Sequence, residues 1–151
     1  MGYAIGLAAA LWLAAGARAA VPKPSASAPP AASNLLAAVK AAPLVWQSSL
    51  NDAMALARTQ YLPVFALFSS PDCVWCSRLK SDVLTSPEVT DLLQHFALVE
   101  VDVTRDPATA MRYQLDSVPA ILVLSSDGAP RVGLRGYVTA AELQKALRAA
   151  I

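Results

Sequence analysis

Residues 63–84 read PVFALFSSPDCVWCSRLKSDVL, and their interpretation decides the fold. Pro63 to Ser69 is a continuous apolar run, the pattern of a strand buried on both faces. The break Ser69-Ser70-Pro71-Asp72 ends it, and Cys73 to Leu84 can form a helix. Cys73 then stands at a helix N-terminus, where backbone N–H groups and the positive end of the dipole favour a thiolate. Asp72 is placed to help cap that helix, although its charge opposes thiolate formation. The two-residue spacing brings the sulfur of Cys76 within bonding reach one turn later. One cysteine can attack a substrate disulfide and the other can resolve the mixed disulfide.

Three plainer readings compete. A purely structural Cys73–Cys76 bridge closes so short a loop that its entropic gain is small. A metal site needs two further ligands, and His95 sits near the far end of another helix, so no metal is expected. Covalent haem requires a histidine directly after the second cysteine, and Ser77 stands there instead.

Outward from this stretch, apolar strands alternate with helices. Leu44 to Gln47 is a short strand candidate, and Ser49 opens a helix running to about Gln60. Ser86-Pro87-Glu88 starts another helix with a cap, a first-turn proline and an acid. Ala97 to Val103 alternates as a strand, Asp106-Pro107 restarts a helix through about Gln114, and Ala120 to Ser125 is a buried strand. Asp127-Gly128 marks a hairpin turn into Arg131 to Arg135. Thr139 and Glu142 form a capping box for a last helix carrying Leu143 and Leu147. The pattern predicts an α/β sandwich with a central mixed sheet covered by helices on both faces.

The chain has 151 residues, of which 56% are hydrophobic and 15% charged, with two cysteines and a formal net charge of +1. That length suits one domain and excludes two full cores, and the apolar fraction excludes a wholly disordered chain. Without a basic run, nucleic-acid binding is not supported.

Residues 1–19 read as a signal peptide: Met1 to Ala17 carry no charged side chain, and Ala17-Arg18-Ala19 places a cut after Ala19. The apolar stretch is shorter than the roughly 20 residues of a spanning helix. Because no Lys or Arg precedes it, an uncleaved membrane anchor is the alternative. Residues 20–43 are a Pro/Ala/Ser-rich linker with a short helix candidate at Asn34 to Ala42. The domain proper is assigned to residues 44–151. An exported domain can keep a disulfide.

From Leu44 onward the chain resembles a thioredoxin-fold domain. The resemblance rests on PVFALFS, the pair Cys73/Cys76, VEVDV, DPATAMRYQLDSVPAILVL and SSDGAPRVGLRGYVTAAELQKAL. More narrowly, CVWC followed by LTSPEV and VDVTRDP is similar to the C-terminal periplasmic domain of the transmembrane thiol:disulfide interchange protein and to related exported thioredoxin-like proteins. The resemblance implies that Pro119 is cis and faces the cysteine pair, and that Val118 offers its backbone to a bound peptide. Gly136 matches a glycine near the same surface, and equally fits a turn before the last helix. Trp75, between the cysteines, supplies an apolar face for partners or a shield for the disulfide.

Two departures stand out. Many thioredoxins bury an acid six residues ahead of the first cysteine, where this chain has Leu67. The family often has a lysine where this chain has Glu100. Glu100 is therefore a candidate for proton handling, provided that it lies under the cysteine pair away from water. Otherwise it shares a solvated strand side with Asp102. Lys80, four residues after Cys76, can approach Cys76 or Glu100 and is the second candidate for proton handling.

The expected function is that of an exported, periplasmic thiol–disulfide oxidoreductase. Cys73 is the nucleophile, Cys76 the resolving thiol, and Val118, Pro119 and Trp75 the substrate surface. Lacking a histidine between the cysteines, it is read as a reductant or electron relay rather than an oxidant. No cofactor is required. Expected partners are protein thiols and disulfides, with a membrane electron donor as a further candidate, and the domain is expected to be a monomer. The alternatives are a redox-inert binding module and a metal chaperone.

Overall fold

Five strands hydrogen-bond into one mixed sheet: β1 (Trp46–Gln47), β2 (Val64–Ser69), β3 (Ala97–Asp102), β4 (Ala120–Leu124) and β5 (Pro130–Arg135). Their order is β1-β3-β2-β4-β5. β1 and β2 run parallel to β3, β4 is antiparallel to β2, and β5 is antiparallel to β4. This computed structural model describes residues 43–151, so the expected signal peptide and the short helix expected at Asn34 to Ala42 lie outside the described residues. Among the described residues, no helix is long and apolar enough to cross a membrane.

The central strands are buried because the chain covers both of their faces. Every residue of β2 is buried, as its unbroken apolar run predicts. On one face, Leu50, Ala53, Met54 and Ala57 of α1 (Leu50–Gln60) pack on Val64, Ala66, Phe68 and Val99. The other face carries Phe65, Leu67, Leu98, Ile121 and Val123. It is covered by the helix that follows the cysteines, by α3 (Pro87–Leu93) and by α5 (Ala140–Arg148). Phe65 and Phe68 are both fully buried, on opposite faces, each contributing about 1.5–3 kcal/mol relative to exposure. A fifth helix, α4 (Pro107–Arg112), precedes the loop that leads into β4.

The helix expected over residues 73–84 differs in detail. Its first part, α2 (Val74–Arg78), is α-helical, and Leu79–Val83 is a π-turn closed by the Leu84 amide donating to the Leu79 carbonyl at 3.1 Å. In a continuing α-helix, Leu84 would sit about 140° around from Leu79. The wider turn brings it back, and Leu79, Val83 and Leu84 are all buried in one cluster.

Several turns and caps are held by carboxylates that need their charge. Asp52 accepts from the hydroxyls of Ser48 and Ser49, Asp106 from the hydroxyl and amide of Thr109, and Glu142 from the amide and hydroxyl of Thr139. Asp102 accepts from the hydroxyl and amide of Thr104, and Asp127 from the hydroxyl of Ser125. These hydrogen bonds hold all five carboxyls below their ordinary values. A carboxyl lowered in the folded state stabilises it above the unfolded value, and that contribution is lost as pH falls through the folded value. Urea midpoints should therefore be flat from pH 7 to about 5 and fall below about pH 4. An unchanged midpoint down to pH 3 would contradict the assignment.

Candidate active site

The topology gathers the residues that sequence reading singled out. Phe68 pairs with Ala120, so the loop leaving β2 and the loop entering β4 emerge at the same end of adjacent strands. Ala120 also pairs with Arg135, which brings Gly136 and Tyr137 to that end, and Ser69 pairs with Asp102, which brings the end of β3. Cys73 and Cys76, Val118 and Pro119, and Gly136 and Tyr137 thus share one edge of the sheet.

Within the first loop, the Cys73 amide donates to the Ser70 carbonyl at 3.2 Å. Cys73 and Cys76 form a disulfide with S–S 2.05 Å and Cα–Cα 5.2 Å. Cys73 itself is the N-cap of α2, its sulfur accepting from the Cys76 amide at 3.0 Å. The cap is therefore the sulfur and not Asp72, which is exposed. An amide aimed at the sulfur also favours its anionic form after reduction. The two cysteines are unequal: Cys73 is half-buried, whereas Cys76 is 1% exposed. The environment suits one thiol that meets a partner and one that waits beneath it.

Val118-Pro119 is a cis peptide, as the family resemblance implied. Pro119 is buried and Val118 is half-buried beside it. The Gly136 amide donates to the Pro119 carbonyl at 2.8 Å, and Gly136 has φ +77° with open space where a Cβ would stand. Glycine is used here for its backbone, and the site keeps the extra room. Trp75 is 54% exposed and packs against Tyr137, with ring centroids 5.7 Å apart. The guanidinium of Arg78 lies 5.1 Å over the Trp75 ring. Tyr137 and Arg78 were missed in the sequence. Arg78 was legible as a residue three positions from Trp75 on one helix, while Tyr137 comes from across the sheet.

Glu100 and Lys80 meet. Lys80 Nζ lies 2.8 Å from Glu100 Oε1, which also accepts from the buried hydroxyl of Ser69 at 2.5 Å. Glu100 aligns with Leu67 in the parallel β2–β3 register, so it stands on the sheet face that carries the cysteine helix. Its side chain is nevertheless 37% exposed, at the rim and not in the core. A proton-handling Glu100 required burial away from water, and the observed place is a solvated ion pair. These residues line a polar hollow of about 330 Å³ with Ser77, Asp102 and Arg105. His95 is exposed. Among the described residues, no three His, Cys, Asp or Glu side chains are grouped to hold a metal ion.

The fold and the paired cysteines at a helix start define a class, and the family model for thioredoxin-like domains matches residues 50–151. The chain belongs to the thioredoxin-like family. Among solved structures, it is similar to the oxidised C-terminal domain of DsbD from Neisseria meningitidis. The two share 25% identity over 72% of this chain and 100% of that one, with a TM-score of 0.60. It is also similar to a thioredoxin from Thermus thermophilus, at 27% identity over 71% of this chain and 87% of that one, with a TM-score of 0.64. No curated protein matches.

Proposed function

We propose that this protein is an exported thiol–disulfide oxidoreductase that serves as a reductant or electron relay for protein disulfides. The unequal burial of the two cysteines is the observation that carries it. In the reduced form, the Cys73 thiolate attacks one sulfur of a partner disulfide and expels the other as a thiolate. The Cys76 thiol then loses its proton and attacks the Cys73 sulfur, releasing the second partner sulfur. The partner gains two electrons and two protons, and the Cys73–Cys76 disulfide re-forms. Val118, Pro119 and Trp75 serve as the surface on which the partner segment lies, and no cofactor takes part. The pair Val74-Trp75 offers no histidine to stabilise the Cys73 thiolate, which favours the reducing direction. Similarity to a DsbD C-terminal domain and the signal-like N-terminus support an exported, periplasmic setting with a membrane electron donor.

The test is insulin reduction with dithiothreitol as the source of electrons, together with titration of the pair against a redox buffer. The expected result is turbidity well ahead of the uncatalysed control and a measurable dithiol–disulfide equilibrium. A pair that never exchanges would leave a redox-inert binding module.

The rim position of Glu100 sets a further expectation. With its side chain 37% exposed and paired with Lys80, Glu100 is not the acceptor of the Cys76 proton, so Glu100→Gln should leave the resolving step within about twofold of wild type. Single-turnover accumulation of the mixed disulfide in that variant would return Glu100 to the proton path.

A further inference from the structure

The charged groups around the cysteine edge are mostly matched. Lys80 pairs with Glu100, Arg105 with Asp102 at 3.4 Å, and Arg135 with Asp116 at 2.9 Å. Arg78 is different. It is exposed, and among the described residues no carboxylate pairs with it. Its guanidinium rests instead on the ring of Trp75, which in turn packs on Tyr137. Stacking on an aromatic face leaves the in-plane N–H donors of a guanidinium available and reduces the freedom lost when they bind. The neighbouring surface is apolar: Val74 is 66% exposed, and Trp75 and Tyr137 add partly exposed rings. Val74 and Trp75 directly follow Cys73, so this surface adjoins the reactive cysteine.

Resting on the oxidoreductase reading, we infer that Arg78 selects its partners: the preferred substrate is a protein segment carrying an acidic side chain close to its disulfide cysteine. The segment's apolar residues lie on Val74, Trp75 and Tyr137 while its carboxylate meets the Arg78 guanidinium. Asp72, exposed one residue before Cys73, is the opposing charge at the edge. It lies on the loop before α2, whereas Arg78 lies at the end of α2, so the two mark opposite ends of the approach. The acid is therefore favoured on the Trp75 side only.

The experiment uses the full chain, reduced and freed of reductant, and cysteine peptides blocked as 2-thiopyridyl disulfides. The peptides differ only in Glu, Gln or Lys at each position within three of the cysteine. Attack by Cys73 on the peptide sulfur releases pyridine-2-thione. Cys76 then attacks Cys73 and frees the peptide thiol, so the protein loses the two electrons and two protons that the two products gain. At low salt, the Glu peptide at the best position should react about fivefold faster than its Lys counterpart, and the ratio should shrink as salt is raised. In Arg78→Gln the ratio should fall to one or below, because Asp72 and the Cys73 thiolate then face the peptide alone, and in Arg78→Glu it should invert. Arg78→Lys should keep a reduced preference. Removing a cation near the cysteines slows thiolate attack on all peptides alike, so the ratio and not the absolute rate is the reading. Equal rates for all peptides with the wild type, or a ratio unmoved in Arg78→Gln, would overturn the assignment. A chain that releases no pyridine-2-thione from any peptide would overturn the oxidoreductase reading itself.

Discussion

Cys73→Ser should lower the rate of exchange with a disulfide substrate by roughly a thousandfold or more, because a serine hydroxyl is not ionised near neutral pH and is a poor nucleophile toward sulfur. Cys76→Ser should behave differently. The first attack needs only Cys73, so this variant should react once and stop as a mixed disulfide with its partner. Mass spectrometry of the trapped species would give the partner's mass directly. The asymmetry comes from the fold: half-buried Cys73 caps α2 with its sulfur, which receives the Cys76 amide, while Cys76 is buried one turn inside. Alkylation of the reduced protein should therefore modify Cys73 first. Preferential labelling of Cys76, or a trapped complex formed by Cys73→Ser and not by Cys76→Ser, would reverse the two roles.

Much of this architecture could be read from local pattern. The β2 run PVFALFS has no polar residue before Ser69, and only a strand covered on both faces buries such a run. Thr139 and Glu142 announced their helix because a capping box is a contact between residues three apart. What remained illegible was set by contacts between distant residues. The π-turn at Leu79–Val83 depends on Leu84 being drawn into the core beneath α2, which no local propensity encodes. The place of Glu100 depended on where β3 ends. Alternation set its face, but only the β2–β3 register and the reach of Lys80 put it at the rim. Tyr137 follows β5, and its packing on Trp75 depends on the order of all the strands between them.

Leu67→Asp should be the most destabilising single change at the site, and it tests whether the place beneath the cysteines can hold an acid. Leu67 is fully buried at the middle of β2, paired with Glu100 on one side and Ile121 on the other. Its cluster consists of Phe65, Leu79, Val83, Leu98 and other apolar side chains. Removing the leucine forfeits about 2–5 kcal/mol of packing, before any charge is considered. An aspartate adds the cost of a carboxylate in a dry place, and Glu100 on the same sheet face repels it. Lys80 opposes that effect, but it is already held by Glu100 at 2.8 Å. The total is a large fraction of the roughly 5–15 kcal/mol that holds a domain folded. Leu67→Asn separates the two costs, since it loses the same packing without gaining a charge. Burial raises the carboxyl's pKa above its unfolded value, so the folded state binds the proton more tightly. The extra penalty of Asp over Asn should therefore be present at neutral pH and vanish as pH falls below the unfolded value. Urea midpoints of the two variants should converge near pH 4 and separate above pH 6. Equal midpoints at every pH would mean that water or a polar partner reaches the Leu67 position, and that the core beneath the cysteines is wetter than its apolar lining implies.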